Sequence, residues 1–292
     1  MRFRLLLNLC LLLAVIGLAL FLAYGNGKKA APADVTLTAV KPETVSHIRI
    51  VRTGQDEISF AKQSGIWMMQ NPYQLRASEI RIETMLKLLG AHSYAQYHSK
   101  AIQLSRFLLD QPQLSIEFDN TRIDFGATSP LAERRYVLVN NIVHIINDVL
   151  FQQLQAPATF FLNTRLLPEH TSISAVLLPG HAIRRQQAIW TVDPAFNISA
   201  DKIVELVNAW RDADAISVSK YEDQGRHDTV RIELGKEGAI EFVIVHELPQ
   251  LILARPDLGI QYHFGDYDAE RMFLKTTAAD QNNSKTPPSI TE

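Results

Sequence analysis

The chain has 292 residues, with 29 Lys and Arg against 31 Asp and Glu, 47 % hydrophobic residues and a single cysteine. That balance excludes a disordered polypeptide and lacks the broad basic field that nucleic-acid binding needs. One cysteine excludes an intramolecular disulfide, a cysteine-based zinc site and a four-cysteine iron–sulfur cluster.

In chain order, the first feature is not globular. Arg2 and Arg4 precede an apolar run from Leu5 to Ala23 in which Asn8 is the only strongly polar residue, close to the ~20 residues that span a bilayer as helix. A cleaved signal peptide has an apolar region of ~7–15 residues, and Ala23-Tyr24-Gly25 is an imperfect cleavage site, so residues 1–24 are expected to remain as a transmembrane anchor. Arg2, Arg4 and the α-amino group outnumber Lys28 and Lys29 beyond the run, which favours a cytoplasmic N-terminus. No later run approaches the length of a span, so everything after about residue 25 is expected outside the cytoplasm. Cys10 lies inside the apolar run, and the exported body contains no cysteine.

Residues 25–40 mix Gly, Pro, Ala and charge and are expected to be a linker; residues 276–292, rich in Asn, Ser and Pro, are expected to be a disordered tail. Between them the body reads as two similar units, 41–168 and 169–275. In the first, alternating Val45 to Val51 and Ile58 to Phe60 are followed by Gly65-Ile66-Trp67, Pro72 and Ser78, then by Ile82, Met85, Leu86 and Leu89 at helical spacing. In the second, Ile173 to Leu178 is followed by Ile189-Trp190, Pro194 and Ser199, then Ile203, Leu206, Val207 and Trp210, each about 120 residues after its counterpart. Ser78 and Ser199 each stand four residues before the first apolar helix position, where a hydroxyl caps free backbone N–H groups.

After each helix the chain returns to strands. Leu114–Phe118 and Arg122–Phe125 flank Asp119-Asn120, and Tyr136–Val139 and Ile142–Ile146 flank Asn140-Asn141, both hairpin signals. Val230–Leu234, Ile240–Val245, Leu251–Ala254 and Ile260–Phe264 repeat the pattern. Short helices over Asp148–Leu154 and Tyr267–Leu274 close the units. The expected fold is α+β: two similar units of antiparallel β-hairpins packed on one main helix each, behind a single N-terminal transmembrane helix.

Gly65-Ile66-Trp67 with Pro72, the Ala77-Ser78 helix start, the hairpins and the segment Phe160-Phe161-Leu162-Asn163-Thr164-Arg165-Leu166-Leu167 together resemble the bacterial domain of unknown function 4340 family, over roughly residues 40–275. The resemblance implies a tandem member behind one span, anchored in the bacterial inner membrane through residues 5–23 with a periplasmic body. It also implies membrane-protein partners in an ABC-type export system similar to the gliding-motility transporter. It designates no catalytic residue. The second unit lacks a clear counterpart of the Phe160–Leu167 segment.

Motifs for chemistry fail one by one. His246-Glu247-Leu248-Pro249-Gln250 begins like a zinc-protease helix, but Gln250 stands where the second histidine must be. There is no G-x-S-x-G elbow, no phosphate loop and no G-x-G-x-x-G. Asp266, Asp268 and Glu270 read as a solvated helix start rather than a cation loop. Asn197-Ile198-Ser199 matches a glycosylation sequon, but a helix cap accounts better for Ser199. No catalytic residue, metal site or cofactor is expected. Trp67, Trp190 and Trp210 read as core. A partner surface is expected at the groove between the units, with Tyr73, Tyr94, Tyr97, Arg134, Arg135, Arg184 and Arg185 as exposed candidates. The function expected is therefore a membrane-anchored extracytoplasmic accessory or interaction protein of an ABC-type transport system. The alternatives are a periplasmic binder of a small molecule or glycan and an envelope hydrolase.

Overall fold

Sequence alternation becomes two antiparallel sheets in a computed structural model, which describes residues 35–273 except 131–132, 188, 196, 223–224 and 248–249. The expected transmembrane anchor, most of the expected linker and the expected tail lie outside the described residues. Among those described, no helix is long and apolar enough to cross a membrane.

The first sheet holds β1 (His47–Arg52), β2 (Ile58–Gln63), β3 (Ile66–Asn71), β4 (Ala95–His98), β5 (Leu114–Phe118), β6 (Thr121–Thr128), β7 (Arg134–Val139) and β8 (Ile142–Asn147). The second holds β9 (Ala175–Leu178), β10 (His181–Gln186), β11 (Ile189–Asp193), β12 (Ser217–Lys220), β13 (Thr229–Glu233), β14 (Ala239–His246), β15 (Ile252–Arg255) and β16 (Ile260–His263). Their spatial orders are β3-β2-β1-β5-β6-β7-β8-β4 and β11-β10-β9-β13-β14-β15-β16-β12, which correspond position for position. The Asn140-Asn141 turn forms as its sequence demands: both residues have positive φ, the type I′ geometry that matches strand twist. The bonds Asn71–Pro72 and Asp193–Pro194 are both cis.

The main helices, α1 (Glu79–Leu86) and α3 (Ala200–Arg211), bury their apolar stripes: Ile82 and Met85 in the first, Ile203, Leu206, Val207 and Trp210 in the second. Two short helices, α2 (Phe151–Leu154) and α4 (Asp268–Met272), fall inside the expected closing segments. Trp210 is fully buried, its indole N–H donates to the Met272 carbonyl at 2.7 Å, and its ring lies 6.1 Å from that of Phe242 on β14. A buried indole needs such an acceptor. Trp67 is also buried, but Trp190 is only half-buried: residues 75–77 pair along the outer side of β3 beside Trp67, whereas among the described residues β11 pairs with β10 alone.

Ser199 caps α3 as expected, its Oγ accepting from the Lys202 N–H at 3.2 Å. Ser78 does not cap α1 through its side chain. Its backbone N–H is instead directed to the Phe161 carbonyl at 2.8 Å. That bond belongs to the segment holding the two sheets together. Leu162 bridges Ala77, and Asn163 N–H donates to the Arg76 carbonyl. The same segment then changes partner: Leu166 N–H donates to Ala213 O, Ala215 N–H donates to Thr164 O, and Arg165 bridges Asp214. Residues 75–77 in turn line the outer edge of β3, through Met69 N–H to Leu75 O and Ala77 N–H to Trp67 O. Backbone hydrogen bonding thus runs from the edge of the first sheet to the residues that lead into β12 of the second.

The first unit carries the counterpart. Leu37 N–H donates to Ala91 O, Ser93 N–H donates to Val35 O, and Thr36 bridges His92, reproducing the Leu166, Ala215 and Arg165 pairings. Leu37 is buried, so residues 35–38 belong to the fold and not to the expected linker. The pairing at Thr164–Leu166 likewise ties residues ahead of 169 to residues 213–215 of the second unit.

Leu166→Ala should lower the unfolding free energy by about 2–5 kcal/mol, the range for truncating a buried leucine. Ile189→Ser, at a position 71 % exposed, should change it by no more than about 0.5 kcal/mol. Urea denaturation followed by circular dichroism compares the two.

Candidate functional site

A concavity lined by residues of both sheets lies at their junction. It encloses about 390 Å³, within the ~300–1,000 Å³ of small-molecule sites. Ile66 and Met68 of β3 line one side, Ile260 and Tyr262 of β16 the other, and Leu162 and Leu166 of the joining segment run between them. Each wall follows from strand alternation: the groove-facing side of one sheet's edge meets a face of the next.

Three arginines enter this apolar setting. Arg76 pairs with Glu79 at 2.7 Å and Glu169 at 3.4 Å, and these carboxylates hold its guanidinium above its ordinary pKa. Arg255 pairs with Asp257 at 2.8 Å. No carboxylate pairs with Arg165 among the described residues, and its Nε, like that of Arg76, is buried without a hydrogen-bond partner. Burial raises the pKa of the Tyr262 hydroxyl, keeping it protonated.

None of the seven candidate surface residues lines this groove. Arg134 stacks on the Tyr94 ring at 3.6 Å, and His92 meets the same ring at 4.6 Å, so Tyr94 and Arg134 are brought together on the first sheet. Tyr97 is exposed on the terminal strand β4. Tyr73 is half-buried against the core, which raises its pKa. Arg184 pairs with Glu233 at 3.3 Å, and Arg185 stands opposite Trp190 in the β10–β11 ladder. The expected exposure of Arg135 is corrected: it is buried, because its guanidinium pairs with Asp148 at 2.8 Å, donates to the Gly126 carbonyl and covers the Phe151 ring. Arg165 went unnoticed as a site residue even though it is the one cation between apolar pairs in Phe160–Leu167; that placement is the signal that marks it.

His246 ends strand β14, so the sequence resembling a zinc-protease motif has no helix at its first residue. Among the described residues, no group of three or more His, Cys, Asp and Glu side chains is arranged to hold a metal ion.

The family whose pattern matches is described as Domain of unknown function (DUF4340), and the match covers residues 67–238, more than half of the chain. The chain belongs to the DUF4340 family. The matched region starts at Trp67, contains the whole joining segment and ends just before β14. No curated protein and no solved structure matches this DUF4340 chain.

His144 of β8 is buried, with its Nδ1 3.0 Å from the Ser93 hydroxyl, and burial lowers its pKa. The folded state therefore keeps this imidazole neutral while the unfolded chain takes up a proton below about pH 6.5. Stability should accordingly fall as pH drops below about 6.5 toward the lower folded-state value, and be recovered above it. Burial shifts His263 in the same direction. Urea midpoints at pH 5 and pH 7.5 measure the slope, and His144→Gln should make it shallower.

Proposed function

We propose that this DUF4340 protein is a membrane-anchored, non-catalytic interaction module on the periplasmic face of the inner membrane, serving an ABC-type transport assembly. In this reading it is a tandem of two α+β units, each with one main helix against its sheet. The observation that carries the proposal is the continuous backbone pairing through Phe161–Leu166, in which one unit's edge receives an extended segment that then pairs with the next unit. An edge able to accept such a segment internally offers the same chemistry to another protein, the β-augmentation mode of recognition.

One terminal edge that offers itself for that purpose is β11. Among the described residues its ladder partner lies on the β10 side alone, and Ile189 stands exposed on it. Exposed apolar edge strands are normally blunted by charge, proline or cover. The charge-flanked apolar run at Leu5–Ala23 supports the membrane anchor.

Affinity-tagged full-length chain, extracted in mild detergent, should co-elute with permease or ATP-binding subunits identified by mass spectrometry. Ile189→Lys should reduce that recovery at least several-fold while leaving the fold intact. A chain that elutes alone and reproducibly monomeric would contradict the proposal.

A further inference from the structure

The junction groove has a chemistry that strand pairing does not use. Its walls are Met68, Leu166, Ile260 and their apolar neighbours, yet it holds donors with no acceptor: the buried Nε atoms of Arg76 and Arg165. Buried donors are almost always satisfied, so unanswered ones around a cavity point to an acceptor that the chain itself does not supply. Charge narrows the choice further. The carboxylates of Glu79, Glu169 and Asp257 offset Arg76 and Arg255, whereas among the described residues no carboxylate forms an ion pair with Arg165, and Asp212, on which its charge acts, is itself paired with Arg211 at 3.1 Å.

We propose that the groove between the two sheets binds a long-chain carboxylate, a fatty-acid-like amphiphile whose chain lies along Met68, Leu166 and Ile260 and whose carboxylate meets Arg165. A single negative charge suits the one lining guanidinium that no ion pair holds among the described residues, and a carboxylate is the planar acceptor that a guanidinium fork fits. A phosphate dianion would bring a second charge toward Glu169, which already sits 3.4 Å from Arg76, and is disfavoured. The apolar walls supply affinity by removing methylene surface from water. This inference does not depend on the interaction reading above: a ligand in the groove neither requires nor forbids a partner on β11.

The test uses the full chain in lipid nanodiscs and a dansylated undecanoic acid, with empty nanodiscs as the reference for partitioning. Saturable binding above that reference is expected, with displacement by oleate and little displacement by the neutral monoolein or by lysophosphatidic acid. Arg165→Gln should weaken binding at least tenfold and Arg165→Lys much less. Met68→Trp, which fills the groove from β3 without touching the cation, should abolish binding. Three results would each overturn the proposal: no saturable excess over empty nanodiscs, unchanged affinity in a folded Arg165→Gln, or equal displacement by monoolein. Should Arg165→Gln fail to fold, full retention of binding in Met68→Trp would overturn it equally.

Discussion

The pairing of one short extended segment with two different edges governs the architecture. Phe161–Asn163 answer the backbone of residues 76–78, and Thr164–Leu166 answer that of residues 213–215. The change of partner occurs within three residues, and side-chain burial follows it. Phe161, Leu162, Leu166 and Leu167 are buried, while Asn163, Thr164 and Arg165 between them are half-exposed. The apolar pairs anchor each end, and the polar middle places a cation at the junction. An edge strand left bare is a site for unwanted association; here the first sheet's β3 edge is covered by residues 75–77 and then extended into the second unit.

Much of this fold is written locally. Asp119-Asn120 and Asn140-Asn141 sit between alternating runs, and both produce hairpins because the turn geometry and the period-two pattern agree. The stripe Ile203, Leu206, Val207 and Trp210 is buried throughout because helical spacing sends all four to one side. What escapes the sequence is long-range. Strands β4 and β12, Ala95-Gln96-Tyr97-His98 and Ser217-Val218-Ser219-Lys220, are four-residue terminal strands with few apolar positions, and only pairing with β8 and β16 makes them strands. The insertion of β5 beside β1, across more than sixty residues of chain, likewise leaves no local mark.

The site was legible in location more than in membership. Its residues run from Ile66 to Tyr262, and nothing local joins them. The seven aromatic and arginine candidates follow from residue type, but residue type does not report an ion pair: Asp148 draws Arg135 inside, whereas no ion pair holds Arg165 among the described residues. The family match adds membership without chemistry, so the functional proposals rest on the edges, the groove and the N-terminal apolar run.

The central claim is that the Phe161–Leu166 segment makes the two sheets one cooperative body. Native-state hydrogen exchange of the Asn163, Leu166 and Ala215 amides under increasing urea tests it most directly. The account predicts that these amides exchange only through the same global opening as the Ile116 and Ile232 amides at the sheet centres, with one free energy and one urea dependence. Exchange of the segment amides by fast local opening, with the two sheets unfolding in separate transitions, would contradict it.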